Sequence, residues 1–268
     1  MSKTPARTEH HLLTAKEKVT EIARRRGIDA EITGRTQISL EERTQYRLQL
    51  EARASQQNLE LIMAQAARQS DDNSANEIDP DWLTCFLSLV EKVAAPTMQQ
   101  LWGRILAKEI ATPGSFSVKS MKVLQQMTLR EARTFQRARQ LSSHYGGDQG
   151  LKLMQGYHQD SGFLQRMETH KLTLGKYRLP FNSLLQLADL GLIHASELES
   201  GEVNSQGVKL VYQKTSWLLR PKHKKIRLIY YRFTPIGNEL ALLIPNDTHQ
   251  EYADDLEALL LKGFILEE

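Results

Sequence analysis

Apolar residues recur at helical spacing through most of the first half of the chain. Leu12, Leu13, Val19 and Ile22 predict a short helix over 8–26 that stops at Arg24-Arg25-Arg26 and Gly27. Cations in a last turn followed by glycine form a stop signal, which accounts for the basic triplet without a ligand. Ser39-Leu-Glu-Glu42 has the spacing of a capping box, so a second helix begins near Leu40 and runs to about Gln69. On it Leu48, Ala52, Ser55, Leu59, Ile62 and Ala66 alternate steps of four and three, a heptad-like stripe. Several of these side chains are small, which favours packing on neighbouring helices or pairing with a second copy over an independent coiled coil. The polar run SDDNSANEID, residues 70–79, is a loop.

Asp79-Pro80 then opens a helix with an N-cap and a proline at the first helical position. Trp82, Leu83, Phe86, Leu89, Val90 and Val93 give it a broad apolar face, with Cys85 beside it as an inert thiol. Thr97-Met-Gln-Gln100 has capping-box spacing. It leads into a helix whose inner face is Met98, Leu101, Trp102, Ile105, Leu106 and Ile110. Gln99, Gln100, Gly103, Arg104 and Lys108 are expected to face away, and Glu109 falls at the edge of the stripe with no evident partner. Pro113-Gly114 breaks the helix, Ser117 caps the next one, and Phe116 with Met121 is placed as a hydrophobic staple. Thr128-Leu-Arg-Glu131 is a further capping box, for a helix through Phe135 and Leu141 that ends at HYGGDQG.

QQNLELI, DPDWLTCF, MQQLWGRILAKEI and PGSFSVKSMKVL, in that order, resemble a family of uncharacterised bacterial proteins. That family carries D-W-x-x-x-F, M-Q-x-L-W-x-x-I-L-A-x-E and P-G-S-F-S motifs. The likeness covers residues 40 to 140 or so, and the C-terminal part more loosely. It implies a cytoplasmic bacterial protein with a helical centre, and it implies no activity.

Beyond the glycine-rich stretch, Leu179 to Ile193 reads as a helix closed by Gly191. Two segments rich in Val, Ile, Tyr and Trp, 208–219 and 226–233, read as strands joined around Pro221 and PKHKK. FTPIGNELALLI follows, and Thr248-His-Gln-Glu251 is a last capping box. Helix, D-L-G-L-I, hairpin and F-T-P-x-G-x-E-L resemble a winged-helix domain, in which the first helix would be the recognition helix and the hairpin the wing. The expected fold is therefore mainly α: a central helical assembly with a C-terminal winged-helix-like α+β domain containing a β-hairpin. Four segments are expected, namely an N-terminal arm with a short helix (1–37), a long amphipathic helix (38–70), a central helical domain (78–146) and the winged-helix-like domain (151–268).

Composition changes this picture little, because 25% charged and 40% hydrophobic residues are ordinary for a soluble cytoplasmic domain. One cysteine excludes an internal disulfide, and no apolar run is long enough for a membrane span. Charge distribution is more telling. Residues 203–238 hold eight Lys or Arg and no acid, whereas 239–268 hold eight acids and only Lys262. On a wing, Arg220, Lys222, His223, Lys224, Lys225 and Arg227 would form a phosphate-binding tip. The presumed recognition helix, with Asn182, Ser183, Gln186 and Asp189, brings no cation.

No phosphate loop, dinucleotide fingerprint, H-E-x-x-H site or nucleophile motif is present, so no catalytic residue, metal site or cofactor is assigned. The leading expectation is a non-enzymatic, nucleic-acid-associated or regulatory protein that meets DNA or RNA through backbone contacts. One alternative is an interaction or scaffold protein that self-associates through 40–69 and offers the basic segment to an acidic partner, its own acidic tail included. Another is an enzyme whose site cannot be read from sequence.

Overall fold

A computed structural model of the chain describes residues 13–71, 75–161 and 166–267. The expected start of the first helix, with His10, His11 and Leu12, and residues 72–74 of the polar loop lie outside the described residues. Two compact units divide the chain: Met1–Arg68 with Val90–Gly103, and Gln69–Leu89 with Arg104–Glu268. Helices dominate, and the C-terminal part carries an antiparallel sheet of eight strands.

In the first unit α1 (Ala15–Arg25) starts at a capping box of Thr14 and Glu17 and ends on Arg24 and Arg25, as the stop signal requires. A one-turn helix, α2 (Ala30–Thr33), precedes α3 (Leu40–Gln69). The Ser39 box is formed: Glu42 N donates to Ser39 Oγ at 3.2 Å, and Ser39 N donates to Glu42 Oε2 at 3.3 Å. Of the α3 stripe, Ile62 and Ala66 are buried.

The next helix of this unit departs from expectation. Helix α5 (Pro96–Ala111) starts one residue before Thr97, because Pro96 takes the first helical position and Gln99 N bonds to Ala95 O at 2.9 Å. The Thr97 box is therefore not its N-terminus. Nor do Gln99 and Gly103 face away. Gln99 is buried and donates to Val93 O at 3.0 Å and to Asn58 Oδ1 at 3.3 Å. A Cβ at Gly103 would stand 2.6 Å from Gln65 Cβ and 2.9 Å from Ala66 N, so here α5 lies directly on the backbone of α3. Gly103→Ala should therefore cost about 1–3 kcal/mol by forcing the two helices apart. Thermal unfolding reads this directly, and an unshifted midpoint would show that the contact is slack.

In the second unit Asp79 caps α4 (Pro80–Val90), accepting from Asp81 N at 2.8 Å and Trp82 N at 3.2 Å. Trp82 stacks on Phe86 at 5.3 Å, and its indole donates to Phe116 O at 2.6 Å. Ser117 caps α6 (Val118–Gln126), with Phe116 and Met121 both buried, and Thr128 with Glu131 opens α7 (Leu129–Gln140) as a capping box.

Strands β1 (Ser142–Tyr145), β2 (Leu151–Ser161) and β3 (Arg166–Lys171) follow directly, where no strand is expected from the sequence. Strand β2 is the centre of the sheet. β1 and β3 share one of its edges, and β7 (Ile226–Arg232) takes the other. A bulge lies between Met154 and Gly156, and a Cβ at Gly156 would drive into the carbonyl of His170. Helix α8 (Phe181–Asp189) precedes the two-residue β4 (Leu198–Glu199), which pairs with β7.

The single hairpin expected from 208–219 and 226–233 is not formed. The first segment is itself a hairpin, β5 (Val208–Tyr212) and β6 (Thr215–Pro221), turning at Gln213-Lys214. Those two polar residues break an apolar run too long for one ordinary strand, and Leu210 opposite Trp217 shares the buried face. The far edge of β6 pairs with β8 (Phe264–Glu267), and Pro221 sits in that ladder opposite Phe264. PKHKK thus crosses between strands that do not pair with each other. Helices α9 (Pro235–Ala241) and α10 (Gln250–Gly263) complete the unit. The cap of α10 is His249, whose ring nitrogen accepts from Tyr252 N, and not the expected Thr248.

Candidate functional site

The basic segment is less available than its sequence suggests. Arg220 donates to Glu267 Oε1 at 2.7 Å and to Ser205 O and Gln206 O at 3.4 and 3.3 Å. Lys222 serves the end of α10, its backbone N bonding to Gly263 O at 2.9 Å and its Nζ to Leu261 O at 2.7 Å. Lys225 takes a left-handed conformation and donates its backbone N to Glu202 at 3.0 Å, while Arg227 lies 3.8 Å from Glu199. His223 and Lys224 are exposed. Folding therefore places Glu199, Glu202 and Glu267 around a run that contains no acid of its own. One of these, Glu267, belongs to the acidic tail.

A second cationic surface lies on α7. Arg130, Arg133 and Arg137 follow one another at steps of three and four, which sets them on one helical face. Arg178, held in the left-handed region at the end of a single 3₁₀ turn (Leu174–Tyr177) just before α8, joins them. Together with Leu129 and Thr134 these four arginines line a groove of about 490 Å³. Among the described residues none of the four has a carboxylate within ion-pair distance. The one acid of α7, Glu131, is turned away onto Thr128 N and Oγ1, both at 2.7 Å. Leu129 in the groove is 69% exposed, and Phe181 and Leu185 of α8 are exposed as well.

Unpaired guanidinium groups so close together repel one another, and an oxyanion relieves that repulsion while using their forked donors. Arg139, the fourth arginine of α7, is committed elsewhere, to Ser142 Oγ at 3.1 Å and Asn246 Oδ1 at 2.5 Å. The spacing of Arg130, Arg133 and Arg137 is a signal present in the sequence, one cationic face of a helix, to which no motif assigns a role. Arg178 carries no local signal, because only the fold brings it to α7.

Other titratable groups are absorbed by the structure. Lys176 binds Asp255 at 2.5 Å and Glu251 at 3.4 Å, and Tyr177 donates its hydroxyl to Asp255 at 2.6 Å. Burial first, and then the Asp255 contact, raises the Tyr177 hydroxyl well above its ordinary range, while Lys176 holds Asp255 below the usual carboxylate range. His158 is satisfied at both ring nitrogens, by Thr169 Oγ1 of β3 at 2.8 Å and by Glu199 of β4, beyond β7, at 3.4 Å. Buried Lys152 is enclosed by Asp148, Tyr145 O and Gly150 O at 3.0–3.2 Å. Among the described residues no group of three His, Cys, Asp or Glu could hold a metal ion, and no helix is long and apolar enough to cross a membrane.

Residues 42–257 match the family described as Protein of unknown function (DUF2806). No curated protein and no solved structure matches the chain.

Proposed function

We propose that the chain, which belongs to that family of unknown function, is a nucleic-acid-associated protein that contacts the phosphate backbone. The observation that carries this reading is the groove of Arg130, Arg133, Arg137 and Arg178, four cations with no acid among them. Positions 130, 133 and 137 are separated by about 4.5 and 6 Å along the helix axis, so α7 can offer one guanidinium after another along a strand. Exposed Leu129 supplies apolar surface beside the charges. Exposed His223, Lys224 and Lys225 form a secondary contact at most, since Arg220, Lys222 and Arg227 already have partners within the chain. What supports the winged-helix likeness is local: α8, the bridge from Ile193 to Phe233, and the helix capped by Thr234.

Such binding is electrostatic and weakly selective for sequence. Four phosphate contacts give a slope of log K against log salt of roughly −3 to −4. The test is affinity for duplex and single-stranded nucleic acid at two salt concentrations. Arg133→Glu/Arg137→Glu is expected to lose on the order of 100-fold at low salt, with Lys222→Glu/Lys224→Glu/Lys225→Glu losing much less. Circular dichroism establishes that both variants are folded. Absence of binding by the parent protein at low salt, or equal binding by the double arginine variant, would refute the reading.

A further inference from the structure

One phenylalanine of the second unit stands in water where the others lie in the core. Of the six phenylalanines among the described residues, Phe86, Phe116, Phe135, Phe233 and Phe264 are at most 3% exposed, whereas Phe181 is 62% exposed. A misplaced helix is not the cause. Leu184 and Leu187 of α8 are buried in the core, and Phe181 and Leu185, four residues apart, share the outward face. Arg178, three residues before Phe181, lines the arginine groove, so at most about 11 Å of chain separates the two residues. Helix α8 also packs against α7. With Leu129, the pair Phe181 and Leu185 makes three of the seven large hydrophobic residues exposed among the described residues of the second unit. The open apolar surface of this unit is thus concentrated beside its acid-free cluster of cations.

We propose that this surface binds single-stranded nucleic acid, with the arginines on its phosphates and Phe181 stacked on a base. The inference rests on the phosphate-contact reading above and narrows it. Four arginines with no acid among them call for a polyanion. An exposed aromatic ring beside them calls for a polyanion that also offers flat apolar faces. A single strand does so, because its bases can splay out and stack on aromatic side chains. In a duplex the base faces are closed against one another and open only where a step is wedged apart. The lack of cations on α8 fits this division: α7 and Arg178 supply charge, and α8 supplies the stacking ring, with exposed Asn182 beside it to meet a base edge.

Fluorescence anisotropy at low salt tests it with three labelled ligands of equal length: oligothymidylate, its duplex with oligoadenylate, and an abasic strand that keeps the phosphates without the bases. The parent protein is expected to bind oligothymidylate about tenfold more tightly than the abasic strand. It should also prefer oligothymidylate to the duplex, although the duplex has the higher charge density. Phe181→Ala should lose about tenfold on oligothymidylate and nothing on the abasic strand, while Phe181→Tyr, which keeps the ring, stays near the parent. Both substitutions are at an exposed position, so circular dichroism and the melting midpoint should not change. Arg133→Glu/Arg137→Glu should weaken all three ligands. Equal affinity for oligothymidylate and the abasic strand, tighter binding of the duplex, or a Phe181→Ala protein that binds like the parent would overturn the stacking and leave the phosphate contact standing. A parent protein that binds none of the three would overturn the phosphate contact itself, and this inference with it.

Discussion

Replacing Trp102 by alanine is expected to lower the unfolding free energy by about 3–5 kcal/mol. Trp102 is fully buried, as is Ile105 one turn further along the same helix, and Leu106 is nearly so. A tryptophan removes roughly 200 Å² of surface from water. At about 25 cal/mol per Å² that area alone corresponds to about 5 kcal/mol, and partial collapse of the cavity returns some of it. Against the 5–15 kcal/mol typical of a folded chain this is a large fraction. Urea unfolding should show the midpoint falling with an unchanged slope, and Trp102→Phe should retain much of the lost stability. A Trp102→Ala protein as stable as the parent but unable to bind nucleic acid would contradict the structural role and make α5 part of the binding surface.

The helices were legible wherever the signal is local. The capping boxes at Ser39 and Thr128 form because serine or threonine and glutamate three residues apart need only each other. Thr97 and Thr248 have the same spacing and fail, because a neighbour takes the position first: Pro96 starts its helix a residue early, and His249 supplies the capping atom. The resemblance of residues 40–140 to an uncharacterised family holds, and the match to a family of unknown function extends over residues 42–257.

The sheet was not legible, for physical reasons. Strand β2 has both edges paired and is buried at Leu151, Lys152, Leu153 and Met154 in succession, so it lacks the alternation that marks a strand. One of its partners, β7, is far away in the chain, and so is β8, which pairs with the outer edge of β6. The pairing of β6 with β8 is what turns the expected wing tip into a crossing held by Glu267 and the end of α10. Of the six residues of that segment, Arg220, Lys222 and Arg227 are engaged within the chain, while His223, Lys224 and Lys225 stay exposed. Those of α7 passed unnoticed, although they are the ones without acids.

Glu109→Ala is expected to be the other strongly destabilising change, by about 2–5 kcal/mol. From the sequence Glu109 is only a charge at the edge of an apolar stripe. In the structure it is 4% exposed, and its two oxygens accept from Gly114 N at 2.6 Å and Phe116 N at 3.0 Å. Those amides belong to the turn after α5, where the chain reverses and no helix can use them. Ser117 N is held in turn by Glu239 at 2.6 Å, and Phe116 O accepts the Trp82 indole. Removing the carboxylate leaves the buried Phe116 N without an acceptor, at about 1–3 kcal/mol, and forfeits the charge-assisted bond from the exposed Gly114 N, for roughly another 1–2 kcal/mol. Glu109→Gln keeps one acceptor oxygen but turns an amide N–H toward another N–H, so its stability should fall between parent and alanine variant. Hydrogen exchange separates this mechanism from simple loss of volume. In Glu109→Ala the Gly114 and Phe116 amides should lose protection before the rest of α5 does. Protection that persists at both would mean that Glu239 and Trp82 hold the turn without Glu109.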